Sequence, residues 1–162
     1  MKGGYLRNFV FGVEDSIVST VGFLSGIATS SIQRHELLIA GGVLIFVEAF
    51  SMGTGSYLSE QSSLEARYGS NARFMRSFWG GIVMFLSYLI TGFLVLLPYV
   101  ISFGGQSVLI SVLFSLFLLF LLGIISARMT GLPILWRGFR MMVIGGIAVI
   151  LGILVARFLE GV

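Results

Sequence analysis

The stretch GVEDSIVSTVGFLSG, residues 12–26, decides how the chain is read. It has the length and apolar character of a helix crossing a bilayer, yet Glu14 and Asp15 sit side by side near its start. A charged side chain at mid-bilayer costs about 3 kcal/mol on insertion scales and more in simulations. Such acids are kept against protein or a water-filled cavity. From Asp15, the residues Ser19, Gly22 and Gly26 follow at i+4, i+7 and i+11, one polar or small stripe along one helix face. Small residues suit close helix packing, so the stripe is expected to face protein or a cavity rather than lipid. Glu14 points about 100° away. It can snorkel to the interface, pair with a basic residue, or line the mouth of the same cavity. For Asp15 the competing structural role is an ion pair or helix cap near the membrane surface, with Arg7 as partner.

The composition supports this reading over the full chain. Of 162 residues, 57% are hydrophobic and 10% charged, where soluble domains average about a quarter charged. The mean hydropathy is +1.04. The 22 glycines fit packed membrane helices. There is no cysteine, which excludes disulfides, thiolate metal sites and thiol redox chemistry. A net charge of +3 raises the question of nucleic acid, but the charges cluster at the ends of apolar segments, so orientation in a membrane accounts for them and no nucleic acid is expected. The first apolar segment contains Asp15, exceeds a typical signal-peptide core and has no convincing small-residue cleavage site after it. It is expected to remain as a membrane helix.

A span needs about 20 mostly apolar residues. The expected fold class is an all-α membrane protein with five transmembrane helices, about 9–30, 37–58, 78–101, 108–125 and 141–158, in a single domain over 1–162, the second span having the option of continuing as a helix past the membrane. The connections are SSIQRHE, the polar link SEQSSLEARYGSNARFMRS at 59–77, SFGGQS and ARMTGLPILWRGFR. Five spans put the termini on opposite sides. The N-terminal side holds Lys2, Arg7, Arg67, Arg73, Arg76, Arg128, Arg137 and Arg140, and the other side only Arg34 and Arg157. The positive-inside rule therefore puts the N-terminus in the cytosol. A cell membrane is the simplest location, with a vacuole-like organelle as the alternative.

The second span repeats the pattern of the first. Glu48, Met52, Gly55 and Ser59 share a face. Glu48 lies near mid-span, where a charge costs most, and is expected to be protonated or to face a partner. Met52 is one turn away. A mixed carboxylate and thioether site suits Fe²⁺ or Mn²⁺ in transit better than Ca²⁺ or Mg²⁺, which want oxygen ligands only. At the cytosolic end Glu60 faces solvent or caps the mouth of a pathway. His35, beside Arg34 and Glu36, reads as a solvated loop residue, and no second histidine exists to build a His-based metal motif. Met84, Met141 and Met142 read as packing, and Tyr88 and Tyr99 as interfacial-belt or pore-lining residues. No nucleophile triad, phosphate loop or metal-hydrolase set is present, so no enzyme chemistry is expected.

At four places the sequence resembles the signatures of the vacuolar iron transporter family. They are RNFVFGVEDSIVSTVGFLSGIA in the first span, SMGTGSYLSEQS in the second, GFLVLLPY in the third, and GIISARMTGLPILWRGFRMMVIGGIAVILGILVARFL across the last two. The likeness runs in order over nearly the whole chain. It implies a five-helix protomer that forms a homodimer with a pathway between subunits. It also implies movement of Fe²⁺, often Mn²⁺, out of the cytosol into a vacuole or across the cell membrane in exchange for protons, with the metal as transported ion and no permanently bound cofactor. The first-helix Asp and second-helix Met of the family pathway match Asp15 and Met52. Departures are clear. Ser56 stands where the family has a second-helix Glu, with Glu48 offering a carboxylate from two turns earlier. Val95 replaces a Pro, and Asp15-Ser16 replaces Asp-Gly. The short link 59–77, basic overall, replaces a long Glu-rich region that collects metal in many relatives.

The expected function is thus transport of divalent transition-metal ions, with the pathway formed by Asp15, Glu14, Glu48, Met52 and Ser19 and a cytosolic mouth at Ser56 and Glu60. Asp15, Met52 and Glu48 are the candidate metal ligands. The alternatives are a non-transporting membrane scaffold or accessory subunit, motivated by Ser56 and the short link, and a transporter of a different cation.

Overall fold

The computed structural model describes residues 2–29, 32–69, 74–101, 105–130 and 133–160. They form five helices: α1 (Lys2–Ala28), α2 (Arg34–Tyr68), α3 (Phe74–Ile101), α4 (Gly105–Thr130) and α5 (Ile134–Glu160). Among the described residues there is no strand. All five helices are long and apolar enough to cross a membrane. Their outward surfaces carry large exposed apolar side chains, including Phe46, Phe50, Ile90, Leu113 and Leu151. In water that surface would be unstable; in lipid it is the expected exterior. The chain is an integral, multi-pass membrane protein.

The helices are longer than the spans expected from the sequence: α2 continues past its apolar run, an option the sequence leaves open, and the connection between α4 and α5 is largely helical. Residues 59–68 continue α2, while 126–130 and 134–140 extend α4 and α5. Polar residues there mark the membrane boundary rather than the helix end. With 35 residues, α2 is about 52 Å long at 1.5 Å per residue, against about 30 Å of hydrocarbon. Leu64 is buried, so the extension packs rather than projecting freely. It ends at Gly69, whose φ of 65° is a conformation that a Cβ would disfavour. Arg73, counted in the charge asymmetry, and the Lys2 side chain lie outside the described residues.

At the start of α2, the Gln33 backbone N–H donates to Glu36 Oε2 at 3.0 Å. His35, expected in a loop, sits in the first helical turn and is exposed. Arg34 Nε donates to the Tyr99 carbonyl at 3.2 Å, and a second guanidinium nitrogen donates to that of Val100. These carbonyls close α3, so Arg34 caps one helix while opening another.

The helix α1 is the centre of the bundle and touches each of the other four. Its buried residues include Gly12, Ser16, Ile17, Thr20, Val21 and Leu24. Glycines set the closest approaches. A Cβ on Gly26 would lie 2.9 Å from the Gly152 carbonyl oxygen of α5, and one on Gly81 of α3 would lie 2.7 Å from that of Gly53 in α2. Both spacings are possible only where the backbones meet without side chains between them. Met84 and Met141 are buried in packing roles.

Candidate functional site

The α1–α2–α3 side of the bundle brings together polar groups from three helices. Glu48 comes from the middle of α2, Ser19 from α1 and Tyr88 from α3. Ser19 Oγ donates to Glu48 Oε2 at 3.0 Å. The Tyr88 hydroxyl donates to the same oxygen. The two hydroxyl oxygens are 2.5 Å apart. Local structure explains why they meet. Ser16, one turn before Ser19 on the buried face of α1, donates to the Tyr88 carbonyl at 2.7 Å. That bond fixes α1 against α3 at the level of Tyr88. Tyr88 is fully buried, so its ring fills core space while its hydroxyl reaches the carboxylate. Two hydroxyl donors replace part of the hydration that Glu48 gives up in a membrane. Glu48 Oε1 receives no hydrogen bond among the described residues.

The stripe on α1 faces protein, as its composition requires. Ser19 meets α2 and α3, and Gly22 and Gly26 meet Ala148 and Gly152 of α5. Asp15 is half-buried and lies within Coulombic range of Glu48. It forms no ion pair among the described residues, and the suggested partner Arg7 is two turns back at the end of the helix, about 12 Å along the axis. Glu14, also half-buried, is within Coulombic range of Asp15 and of Arg140 and Arg137 on α5. Of its three expected roles, the environment favours pairing with basic residues. The basic side chains of α5 thus act on Glu14, and Glu48 acts on Asp15.

Met52 and Ser56 follow Glu48 at one-turn intervals along α2 and are half-buried. The fully packed face of α2 runs through Ile45, Ala49 and Gly53. Glu48, Met52 and Ser56 occupy the flank beside it, partly uncovered in a single protomer. Among the described residues, no three of Asp, Glu, His and Cys converge into a metal-holding group.

Glu60, further along α2, accepts from Arg76 Nε on α3 at 3.0 Å. The Glu60 side chain is 11% exposed. Nearby, Asn8 donates from Nδ2 to the Gly80 carbonyl at 3.0 Å, fastening α1 to α3 at the arginine-rich end. Glu60 is therefore tied to a guanidinium rather than to solvent.

Tyr88 is the site residue whose role the sequence left undecided. The sequence offered an interfacial belt or a pore lining for it, and its complete burial excludes the belt. A tyrosine in the middle of an apolar span, far from either interface, was the available signal, because its hydroxyl needs a partner there.

The profile of the VIT family matches residues 6–79 and 67–157. No curated protein matches the sequence. The two matched segments run from α1 through α5 and contain Asp15, Ser19, Glu48, Met52 and Tyr88; the chain belongs to the VIT family, the vacuolar iron transporter family that its motifs resemble.

Proposed function

We propose that the protein moves a divalent transition-metal ion, Fe²⁺ or Mn²⁺, out of the cytosol in exchange for protons. The observation that carries this reading is Glu48. It is a mid-span carboxylate held by two hydroxyls, with no ion pair among the described residues and a second carboxylate, Asp15, within range. A carboxylate neutralised by arginine has no charge to offer a passing ion. One solvated by hydroxyls keeps its charge available and retains a free oxygen.

Met52, one turn along the same flank, adds a soft donor, which favours Fe²⁺ or Mn²⁺ over Ca²⁺ or Mg²⁺. One protomer supplies Asp15, Glu48 and Met52, fewer ligands than such an ion takes. The flank that carries Glu48, Met52 and Ser56 is half-open. A homodimer that closes this flank against its copy would double the ligand set and remove the carboxylates from lipid. Metal binding requires deprotonated carboxylates, so binding releases protons and proton return from the far side releases metal. Ser19 and Tyr88 orient Glu48 through this cycle. With the arginine-rich ends in the cytosol, ions would leave toward the side bearing Arg34 and Arg157.

The test is Fe²⁺ and Mn²⁺ flux into proteoliposomes under an imposed pH gradient, with internal pH followed in parallel. Metal flux coupled to proton counterflow, lost in Asp15→Asn, is the expected result. Absence of metal-dependent proton flux in the native protein, or unchanged flux in Asp15→Asn, would overturn the reading in favour of a scaffold or accessory role.

A further inference from the structure

At the arginine-rich end, a cavity of ≈ 290 Å³ opens between the start of α1, the extension of α2 and the start of α3. Its lining includes Arg7, Arg67 and Arg76, with Glu60, Ser59 and Ser63. Three guanidiniums meet one carboxylate, an excess of two positive charges by formal count. Arg76 is engaged by Glu60. Arg7 and Arg67 are exposed and form no ion pair among the described residues. Like charges facing one cavity repel each other unless something negative lies between them.

We propose that this cavity binds a phosphate-bearing anion. Arginine matches phosphate through paired N–H donors in a planar fork, and serine hydroxyls add donors of the kind that phosphate oxygens accept. The volume has room for about ten waters at about 30 Å³ each, enough for a phosphate group with its substituent. Glu60 is the one carboxylate in the lining and competes with an anion for the Arg76 guanidinium. The same excess of positive charge makes the cavity a poor vestibule for a divalent cation, which separates it from the carboxylates of the mid-span site.

The depth of the cavity favours a lipid headgroup as the source of the phosphate. The last turns of α2 extend beyond a hydrocarbon core of about 30 Å, so Ser59 to Arg67 stand at headgroup level. Tyr68, Phe74 and Trp79 are exposed around the same end, as interfacial aromatics are. Basic pockets between membrane helices on this side of a bilayer are suited to anionic lipid headgroups. Free phosphate offers the same chemistry and is separated from lipid by experiment.

The protein is purified into nanodiscs of neutral phosphatidylcholine. In one arm phosphatidylglycerol is added in increments, and bound lipid is counted by native mass spectrometry. In the other arm inorganic phosphate is titrated and the thermal unfolding midpoint followed. Retention of phosphatidylglycerol by the native protein, reduced about tenfold in affinity for each arginine removed in Arg7→Gln and Arg67→Gln, supports the lipid source. A rise in midpoint with phosphate but no lipid retention supports a soluble one. Glu60→Gln should bind more tightly than native, an effect opposite to any loss through misfolding. Arg128→Gln, which removes an arginine outside the cavity at the same membrane face, should bind as native. Native-like binding by the Arg7→Gln/Arg67→Gln double variant, an equal loss in Arg128→Gln, or no binding by the native protein in either arm overturns the proposal.

Discussion

Two glutamates on α2, three turns apart, meet opposite partners. Glu48 is held by the hydroxyls of Ser19 and Tyr88. Glu60 is held by the guanidinium of Arg76. Both bind α2 to α3, but the electrostatic result differs. Hydroxyls bring no opposite charge to Glu48, and its second oxygen has no hydrogen bond among the described residues, whereas Glu60 faces a guanidinium. The residue types around a carboxylate, more than its depth, decide whether it can serve an ion. The helix thus carries a carboxylate held by hydroxyls at its middle and one held by a guanidinium toward its arginine-rich end.

The largest expected effect tests this division directly. Glu48→Gln keeps the shape of the side chain and one acceptor oxygen for Ser19 and Tyr88 but removes the charge. Metal-driven proton flux in proteoliposomes should fall by about a hundredfold, the upper end of what loss of even an orienting partner of a metal ligand costs. Glu60→Gln should reduce flux far less. If the two variants lose flux equally, the assignment of separate roles to the two glutamates is wrong.

The comparison also depends on α2 and α3 lying close enough for both pairs to form. Gly53 and Gly81 set that distance. In Gly81→Ala the new methyl would lie 2.7 Å from the Gly53 carbonyl oxygen, an atom of helix backbone that cannot turn aside. The helices must part, at a cost of about 1–3 kcal/mol, and both glutamate pairs lengthen. Gly42→Ala is the control. Its methyl would meet nothing within 4 Å, so it should be neutral or gain up to about 1 kcal/mol in helix propensity. Reversible unfolding in mixed micelles distinguishes the two.

Tyr88→Phe removes one hydroxyl while keeping the buried ring. Mn²⁺ affinity should weaken by about tenfold, the lower end of what loss of an orienting partner costs. The unfolding midpoint should change little, because Ser19 still donates to Glu48. Full retention of Mn²⁺ affinity would mean that the hydroxyl only satisfies the carboxylate and does not aim it.

Much of the architecture could be read from apolar run lengths alone. Each of the five runs became a helix because lipid offers backbone groups no partner outside the helix itself. What the runs could not show was how far a helix continues beyond the apolar stretch. Continuation of the second span as a helix into 59–68 was legible as an option, but neither the burial of Leu64 nor the contact of Glu60 with Arg76 is visible in hydropathy. Asp15 and Glu48 were legible because an acid inside a membrane has few structural explanations. Tyr88 was not, because a tyrosine among Phe and Leu has several. The turn of α1 that separates Glu14 from Asp15 was legible as an angle, but that α5 would bring Arg137 and Arg140 toward Glu14 depends on how the helices pack. Pairings between spans arise from tertiary geometry, and hydrophobic periodicity carries little information about them when every face is apolar.

The smallest expected effect concerns the surface pair. Arg76 has a side chain 41% exposed, so solvent and salt screen its attraction to Glu60. A double-mutant cycle with Glu60→Gln and Arg76→Gln, read by unfolding midpoints, should give a coupling below about 1 kcal/mol that shrinks further at high salt. By contrast, the hydroxyl bonds to Glu48 are remote from bulk water, and the coupling between Ser19→Ala and Glu48→Gln should not respond to salt. The two cycles together separate a screened pair at the membrane surface from an unscreened one within it. Equal salt sensitivity would mean that bulk solvent reaches Glu48 as freely as Glu60. A carboxylate that wet would not need the hydroxyls of Ser19 and Tyr88, and the distinction between the two ends of α2 would fail.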